Sequence, residues 1–301
     1  MYNKMKLFKT LLFCFYSCYL FSQQVPDSLY VPNIVKEKRN VIIYVDEAHN
    51  NFHTINNRFY PFANVLRKSG YKVESFTEKF SKKSLANIKL LVISNALHEN
   101  ARGPFVIPTP SAFSKEEINT IKDWVKKGGA LFLIADHMPF AGASEELGKT
   151  FGFHFYDSFL LDEDMRGIFD FNKENKMLAN HDLTKGTVRF KKVNSIRTFT
   201  GQAFQIPNKA ISILKTTEKQ TVFLPDTMWR FNKNTKRFPA KELSQGAIMN
   251  VGRGRIAVFG EAAMFTAQLA GRNRFKVGMN ASEASENHKL LLNLISWLGN
   301  E

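Results

Sequence analysis

The chain has 301 residues, 44% of them hydrophobic and 23% charged, enough to bury a full core as one large α/β domain. Its formal net charge is +15, but the lysines are scattered and no helix-turn-helix, zinc-finger or RNA-binding signature appears, which argues against nucleic acid as a partner. The only two cysteines, Cys14 and Cys18, fall in the first 23 residues, so everything after them lacks a thiolate nucleophile, a disulfide and a Cys-ligated metal.

Lys4, Lys6 and Lys9 precede an apolar run from Leu11 to Phe21, followed by Ser22-Gln23-Gln24. This is the layout of a secretory signal peptide, residues 1–23, cleaved near Ser22–Gln24. The apolar run is short of the ~20 residues that span a bilayer. The expected product is exported, periplasmic or secreted, with a charge of about +12 that draws it to anionic surfaces or glycans. Anchoring as a lipoprotein at Cys18 is not favoured, because Phe15 stands where an aliphatic residue is expected. Residues 24–39 read as a linker, and 40–301 as a single domain.

The first strand is Val41–Val45, an apolar β-branched run of the kind buried on both faces. It breaks into Asp46, Glu47, His49, Asn50, Asn51 and His53. Asn56 or Asn57 is placed to cap a helix with Phe59, Phe62, Ala63 and Leu66 inward, ended by Gly70. Tyr71–Phe76 and Leu90–Ser94 are the next strands, the latter ending in Asn95, His98 and Glu99. After a Pro- and Gly-rich loop (101–113), Ser114 and Glu117 form a capping box for a helix expected to bury Ile118, Ile121, Trp124 and Val125. Ala130–Ala135 is a strand with no polar residue. It ends in Asp136-His137, and a short helix is expected at Ser144–Lys149. The alternation of strand and helix predicts a doubly wound, mainly parallel sheet.

Residues 151–240 lose that rhythm and read as an irregular elaboration, with strand-like pieces at Val188–Phe190, Ala210–Leu214 and Thr221–Leu224 and with loops leaning over the crevice. Ala247–Val251, a Gly252-Arg253-Gly254 turn and Arg255–Phe259 form a hairpin ending at Gly260-Glu261. Ser285 is placed to cap a last helix with Leu291, Leu294, Ile295 and Leu298 inward. The Gly252–Gly254 stretch is not a phosphate loop, since it lacks the G-K-[ST] ending and joins two strands.

Asp46, Asn95, Asp136 and Glu261 all close strands, so a parallel arrangement brings them to one crevice beside His49, His53, His98 and His137. Three chemistries fit these residue types. Asp46, Glu47, Asp136 or Glu261 serves as a base toward water with a neighbouring histidine such as His137 as acid. Alternatively, a divalent metal is held among His49, His53, Asp136 and His137, the first two sharing a face if their loop is helical. The third is binding of a polar small molecule or glycan without turnover, with His49, Asn50, His53, Asn95, His98 and Gln202 as contacts and Trp229 as the one tryptophan placed for carbohydrate stacking.

G-G-A-L-F-L-I-A-D-H (128–137), preceded by L-L-V-I-S-N-A (90–96), resembles the class I glutamine amidotransferase-like fold, and more narrowly its ThuA-like and DUF4350-type exported members. The ending G-R-G-R-I-A-V-F-G-E-A-A-M-F (252–265) resembles the same superfamily, including its non-enzymatic gliding- and intraflagellar-transport-type branches. The resemblance implies a flavodoxin-like sheet. It places a nucleophilic Cys on the turn that here carries Asp136-His137, so it excludes Cys-dependent amidotransfer and matches the ThuA-like turn, where a His stands. Its gliding-type branch implies an alternative, a non-catalytic scaffold of the cell envelope.

Overall fold

The computed structural model describes residues 24–300. A seven-stranded sheet is made by β1 (Ile42–Asp46), β2 (Lys72–Phe76), β3 (Leu90–Ser94), β4 (Ala130–Ile134), β5 (Ile211–Lys215), β6 (Ser244–Val251) and β7 (Gly254–Phe259). Their spatial order is β2-β1-β3-β4-β7-β6-β5. The first five in that order are mutually parallel, and β6 runs antiparallel between β7 and β5. Every residue of β3 and β4 is buried, as continuous apolar runs require of strands covered on both faces.

The covers are helices. On one face α1 (Tyr60–Lys68) sends Phe62, Val65 and Leu66 into a core shared with Phe132 and Phe259. On the other, α2 (Lys115–Lys126) and α3 (Phe140–Lys149) bury Ile121, Val125 and Leu147 against Leu91 and Leu133. After the short α4 (Asp182–Lys185), the last helix α5 (Asn287–Gly299) returns to the α1 face with Leu291, Leu294 and Ile295. The molecule is therefore α/β and doubly wound. The chain leaves β1 toward β2 on one side and comes back to β3 on the other, so the order reverses between β1 and β3. No helix among the described residues is long and apolar enough to cross a membrane.

Several local expectations are corrected. Neither Asn56 nor Asn57 caps α1; the helix begins behind Phe59 with no side-chain cap, and the Asn57 carbonyl closes a turn by accepting the Tyr60 amide at 2.8 Å. Ser285 does not cap α5, which starts two residues later; Ser285 closes the one-turn helix Ser282–Ala284. Residues 24–39 are more than a linker, since Gln24–Pro26 pairs antiparallel with Ala267–Ala270. Val188–Phe190 is no strand: Val188 is fully exposed, while Arg189 donates to the Ser296 carbonyl of α5 at 2.7 Å. The hairpin β6–β7 forms as expected, and its turn needs glycine at 252, where φ is +60° and a Cβ would stand 2.6 Å from the Lys126 carbonyl.

Residues 151–240 are better ordered than their sequence rhythm implied. They supply β5 as the edge of the main sheet, a sheet of Thr221–Leu224 between Lys236–Pro239 and Phe159–Leu161, and an antiparallel pair Ile168–Asn172 with Ser195–Phe199. Two buried asparagines of α5 stitch this region down. The Asn293 amide donates to the Leu183 and Lys191 carbonyls at 2.8 Å and accepts the Lys191 N–H at 2.9 Å. Asn287 donates to the Arg197 carbonyl at 2.7 Å and to that of Met264 at 3.1 Å, and accepts the Arg197 N–H at 3.1 Å. With both ends of each amide satisfied, these polar groups are buried at little cost.

Candidate functional site

β1, β3, β4 and β7 are parallel neighbours, so Asp46, Asn95, Asp136 and Glu261 emerge at one end of the sheet. They are cross-linked there. Asn95 Oδ1 accepts the Asp136 N–H at 3.1 Å, Asp136 Oδ2 accepts the Ala262 N–H at 3.1 Å, and Gln202 Nε2 donates to the Ala135 carbonyl at 2.9 Å.

Behind β1 these residues close on themselves. His49 Nδ1 contacts both Asp46 oxygens at 2.8 and 2.9 Å, and Nε2 contacts Glu117 Oε1 at 2.9 Å. The ring lies between Phe80 and Phe113, with centroids at 4.4 and 4.9 Å. Asp46, His49 and Glu117 are all buried. Burial pulls the imidazole down, but hydrogen bonds and charge from Asp46 and then Glu117 outweigh it and hold the pKa above its ordinary 6.5. Burial likewise pushes Glu117 up, and His49 with the Ser114 and Phe80 amides brings it below the usual 4.5. The result is an imidazolium clamped between two carboxylates. Glu117 was legible as the far half of a capping box, which it is. That its other oxygen reaches His49 and the Phe80 N–H (3.1 Å) was invisible, because the contact spans 68 residues.

His53 is buried by a different logic. It stacks on Phe59 at 4.4 Å and meets Ser94 Oγ through Nδ1 at 3.0 Å. Burial, helped by the Arg58 charge, pushes its pKa down to about 3, so it stays neutral. Glu47 accepts the Ile55 N–H at 2.8 Å and staples the loop. Asn50 is at the rim, φ 46°, its amide donating to the His98 carbonyl at 3.2 Å; the His98 ring accepts the Asn100 N–H.

After β4 and β7 the carboxylates are again occupied. Asp136 Oδ1 accepts the His137 N–H at 2.7 Å in addition to the Ala262 bond. Glu261 accepts the Ala263 and Met264 N–H groups at 2.7 and 2.8 Å and so starts the one-turn helix Ala263–Phe265. Full burial and the nearby Asp136 charge push Glu261 well above the usual carboxylate range, against the backbone amides that favour the ion. His137 is the exception to this closure. Its Nδ1 donates to the Met138 carbonyl at 2.7 Å, which leaves Nε2 as an acceptor, with Asp136 Oδ1 4.0 Å away. The ring stacks on Phe159 at 4.6 Å and meets Trp229 edge-on at 4.9 Å. Trp229 is 52% exposed.

Trp229 reaches this place because two loops dock. The Pro-rich loop and the elaboration form a bridge at Val106 and Thr227, with Met228 N–H to the Phe105 carbonyl at 3.0 Å. Between the loops that follow β1 and β3 lies a concavity of about 410 Å³.

The metal arrangement does not fit. Residues 47–58 are irregular loop and turn with no helix, so His49 and His53 share no helical face, and both His49 nitrogens are engaged. No group of three His, Cys, Asp or Glu side chains poised to hold a metal occurs among the described residues.

No family model and no curated protein matches the chain. Solved structures do. The mmIFT52 N-terminal domain aligns with a TM-score of 0.59 at 15% identity, covering 85% of this chain and 97% of its own. A ThuA-like protein from Parabacteroides merdae aligns at 0.46 with 13% identity (86% and 90%), and a GMP synthase subunit from Thermoplasma acidophilum at 0.44 with 9% (88% and 96%). At these identities what is shared is a fold. For the mmIFT52 domain a shared fold is the whole of the likeness, and no activity follows from it.

Proposed function

We propose that this is an exported, amidotransferase-like domain that binds a polar small molecule or glycan in the crevice at the strand C-termini without turning it over. The observation that carries this reading is how the polar groups there are divided. The buried carboxylates are committed to internal partners: Asp46 and Glu117 to His49, Asp136 to two amides, Glu261 to the turn after β7. Beside them, amide, aromatic and cationic side chains line an open concavity at the point where strand order reverses, the usual ligand site of open α/β sheets.

Trp229 supports the reading. It is half-exposed and held at φ 62°, a left-handed conformation that costs a bulky residue ~1–2 kcal/mol. Strain of this kind is retained where surrounding structure enforces it, commonly at ligand clamps. Its exposed indole beside His137 Nε2 offers a stacking face and a hydrogen-bond acceptor together, which suits a sugar. Export rests on the lysine–apolar–Ser-Gln-Gln layout of residues 1–23, which lie outside the described residues along with the Cys18 question.

The test is a thermal-shift screen of neutral and acidic saccharides, followed by calorimetry on hits and mass analysis of the ligand after incubation. A bound, chemically unchanged saccharide, with affinity reduced at least tenfold (about 1.4 kcal/mol) in Trp229→Ala, is the expected result. Cleaved product would replace binding by hydrolysis. No stabilisation by any saccharide would return the molecule to the scaffold reading.

A further inference from the structure

The concavity between the β1 and β3 loops has a composition that selects among polar ligands. Its lining includes two arginines, Arg58 and Arg102, and three asparagines, Asn50, Asn51 and Asn57, with no aspartate or glutamate. We propose that it seats the carboxylate of a sugar acid, with Arg58 and Arg102 as the anion-binding pair; this deepens the crevice-binding reading and rests on it.

Arg58 is the stronger argument. Its guanidinium lies over the Phe52 ring, 4.0 Å from the centroid, and its Nε is buried with no hydrogen-bond partner. Proteins rarely bury a charged donor unpaired, since the desolvation cost is not recovered unless an acceptor arrives. No carboxylate among the described residues fills that role. Burial also holds the Arg58 pKa below its ordinary value, the direction expected of a cation that lacks its counter-ion. Stacking on Phe52 fixes the plane of the fork, and a planar fork matches a carboxylate in bidentate fashion.

Arg102 brings the second charge. Its Nη1 is tied to the Glu99 and Ala101 carbonyls, at 3.1 and 2.7 Å, which orients the side chain without neutralising it. α1 begins at Tyr60, two residues after Arg58, and its N-terminal end adds positive partial charge at the same end of the sheet. The asparagines do different work. Asn51 is spent inside the protein, its amide donating to Asp46 Oδ2 and the Ser94 carbonyl and accepting the His49 N–H. Asn50, with one donor on the His98 carbonyl, keeps an acceptor, and Asn57 brings a second amide to the lining for a ring of hydroxyls. A volume of about 410 Å³ lies within the ~300–1,000 Å³ of ordinary small-molecule sites. Two cations, an aromatic face and amides together describe a polyhydroxylated carboxylate better than a neutral sugar or a bare inorganic anion.

The experiment is isothermal titration of the purified protein with glucuronate, glucose and inorganic phosphate, in wild type, Arg58→Gln and Arg102→Gln. Arg102 is at the surface, so Arg102→Gln remains informative even if Arg58→Gln folds poorly. Glucuronate is expected to bind at least tenfold more tightly than glucose or phosphate, and each substitution to weaken glucuronate at least fivefold while leaving glucose unchanged. Equal binding of glucose and glucuronate, unaffected by either substitution, would overturn the carboxylate seat and leave the crevice reading standing. Phosphate binding with glucuronate excluded would overturn the sugar acid in favour of a phosphate. If the wider saccharide screen is also blank, the crevice reading falls too, which separates the two failures.

Discussion

The knot behind β1 and the mouth in front of it are made from the same kinds of residue a few positions apart, and they behave in opposite ways. In the knot, Asp46, His49 and Glu117 satisfy one another in the dark, and every strong donor has a strong acceptor. In the mouth, Arg58 has a buried nitrogen with no partner and Arg102 is tied only to carbonyls; outside its lining, Trp229 stands half in solvent against His137. The lesson is that a charged residue at a strand end says little by itself. Whether its bonding capacity is spent inside the protein decides between architecture and site.

That distinction can be broken first at His49. His49→Leu keeps the volume between Phe80 and Phe113 but leaves Asp46 and Glu117 buried without their cation. It should cost about 3–5 kcal/mol in urea denaturation, because removing one member of a buried ion pair strands the others. A loss below ~1 kcal/mol would show that the knot is not what fixes β1 to α2.

The pH dependence of stability sharpens the same comparison. His49 is raised above 6.5, so its contribution is complete below 6.5 and is lost as pH rises through the elevated value. Glu117 is lowered, so its contribution is present above 4.5 and is lost as pH falls through the depressed value. The clamp is therefore strongest between 4.5 and 6.5. His53 acts with the other sign. Held down at about 3, it favours the fold above 6.5, and that support drains away as pH falls from 6.5. Denaturation of wild type and His49→Leu across pH 5–9 (about the accessible range) should show a difference that shrinks on the alkaline side. A difference that grows there would refute the clamped imidazolium.

Asp136 should respond less. Asp136→Asn still offers one acceptor to the His137 or Ala262 amide and relieves the charge beside Glu261, so stability should stay within about 1 kcal/mol of wild type. Asp136→Ala frees both amides and should cost about 1–3 kcal/mol. If the two variants melt alike, the amide bonds are not what holds the turn after β4. The smallest effect on folding belongs to Trp229→Ala, within ~0.5 kcal/mol in the same denaturation assay, since the indole is half-exposed and alanine keeps the same Cβ at the same positive φ.

How much of this was legible in the sequence follows from the range of the interactions. β3 and β4 are continuous apolar runs bounded by polar residues, and they appear within a residue of where the pattern put them. The Ser114–Glu117 capping box and the β6–β7 turn are local chemistry and were equally readable. The α1 cap failed because Asn57 uses its carbonyl in a preceding turn, a choice that side-chain preference does not reveal. Strands such as Ile168–Asn172 were missed because they pair only with each other and lean on α5, with no long apolar run to announce them. At the site, convergence of Asp46, Asn95, Asp136 and Glu261 could be inferred from parallel strands. Which of them had capacity left could not, because Glu117 and the Ala262 amide come from 68 and 126 residues away. Arg58 was passed over for the same reason: an arginine beside Phe59 looks like a helix flank, and only the missing partner marks it out.

The strand order has a consequence for how the polypeptide is made. β7 lies in the middle of the sheet, between β4 and β6, yet it is the last of the seven strands to leave the ribosome. Until residue 259 has emerged, β4 keeps an open edge and Asp136 has no Ala262 amide to hold. The asparagines that close the elaborated region arrive later still, on α5. The first half therefore has no finished product to settle into, and its apolar strands spend most of synthesis without their neighbour. Such a chain completes its sheet only near its end, once its last strand has filled the gap at the centre.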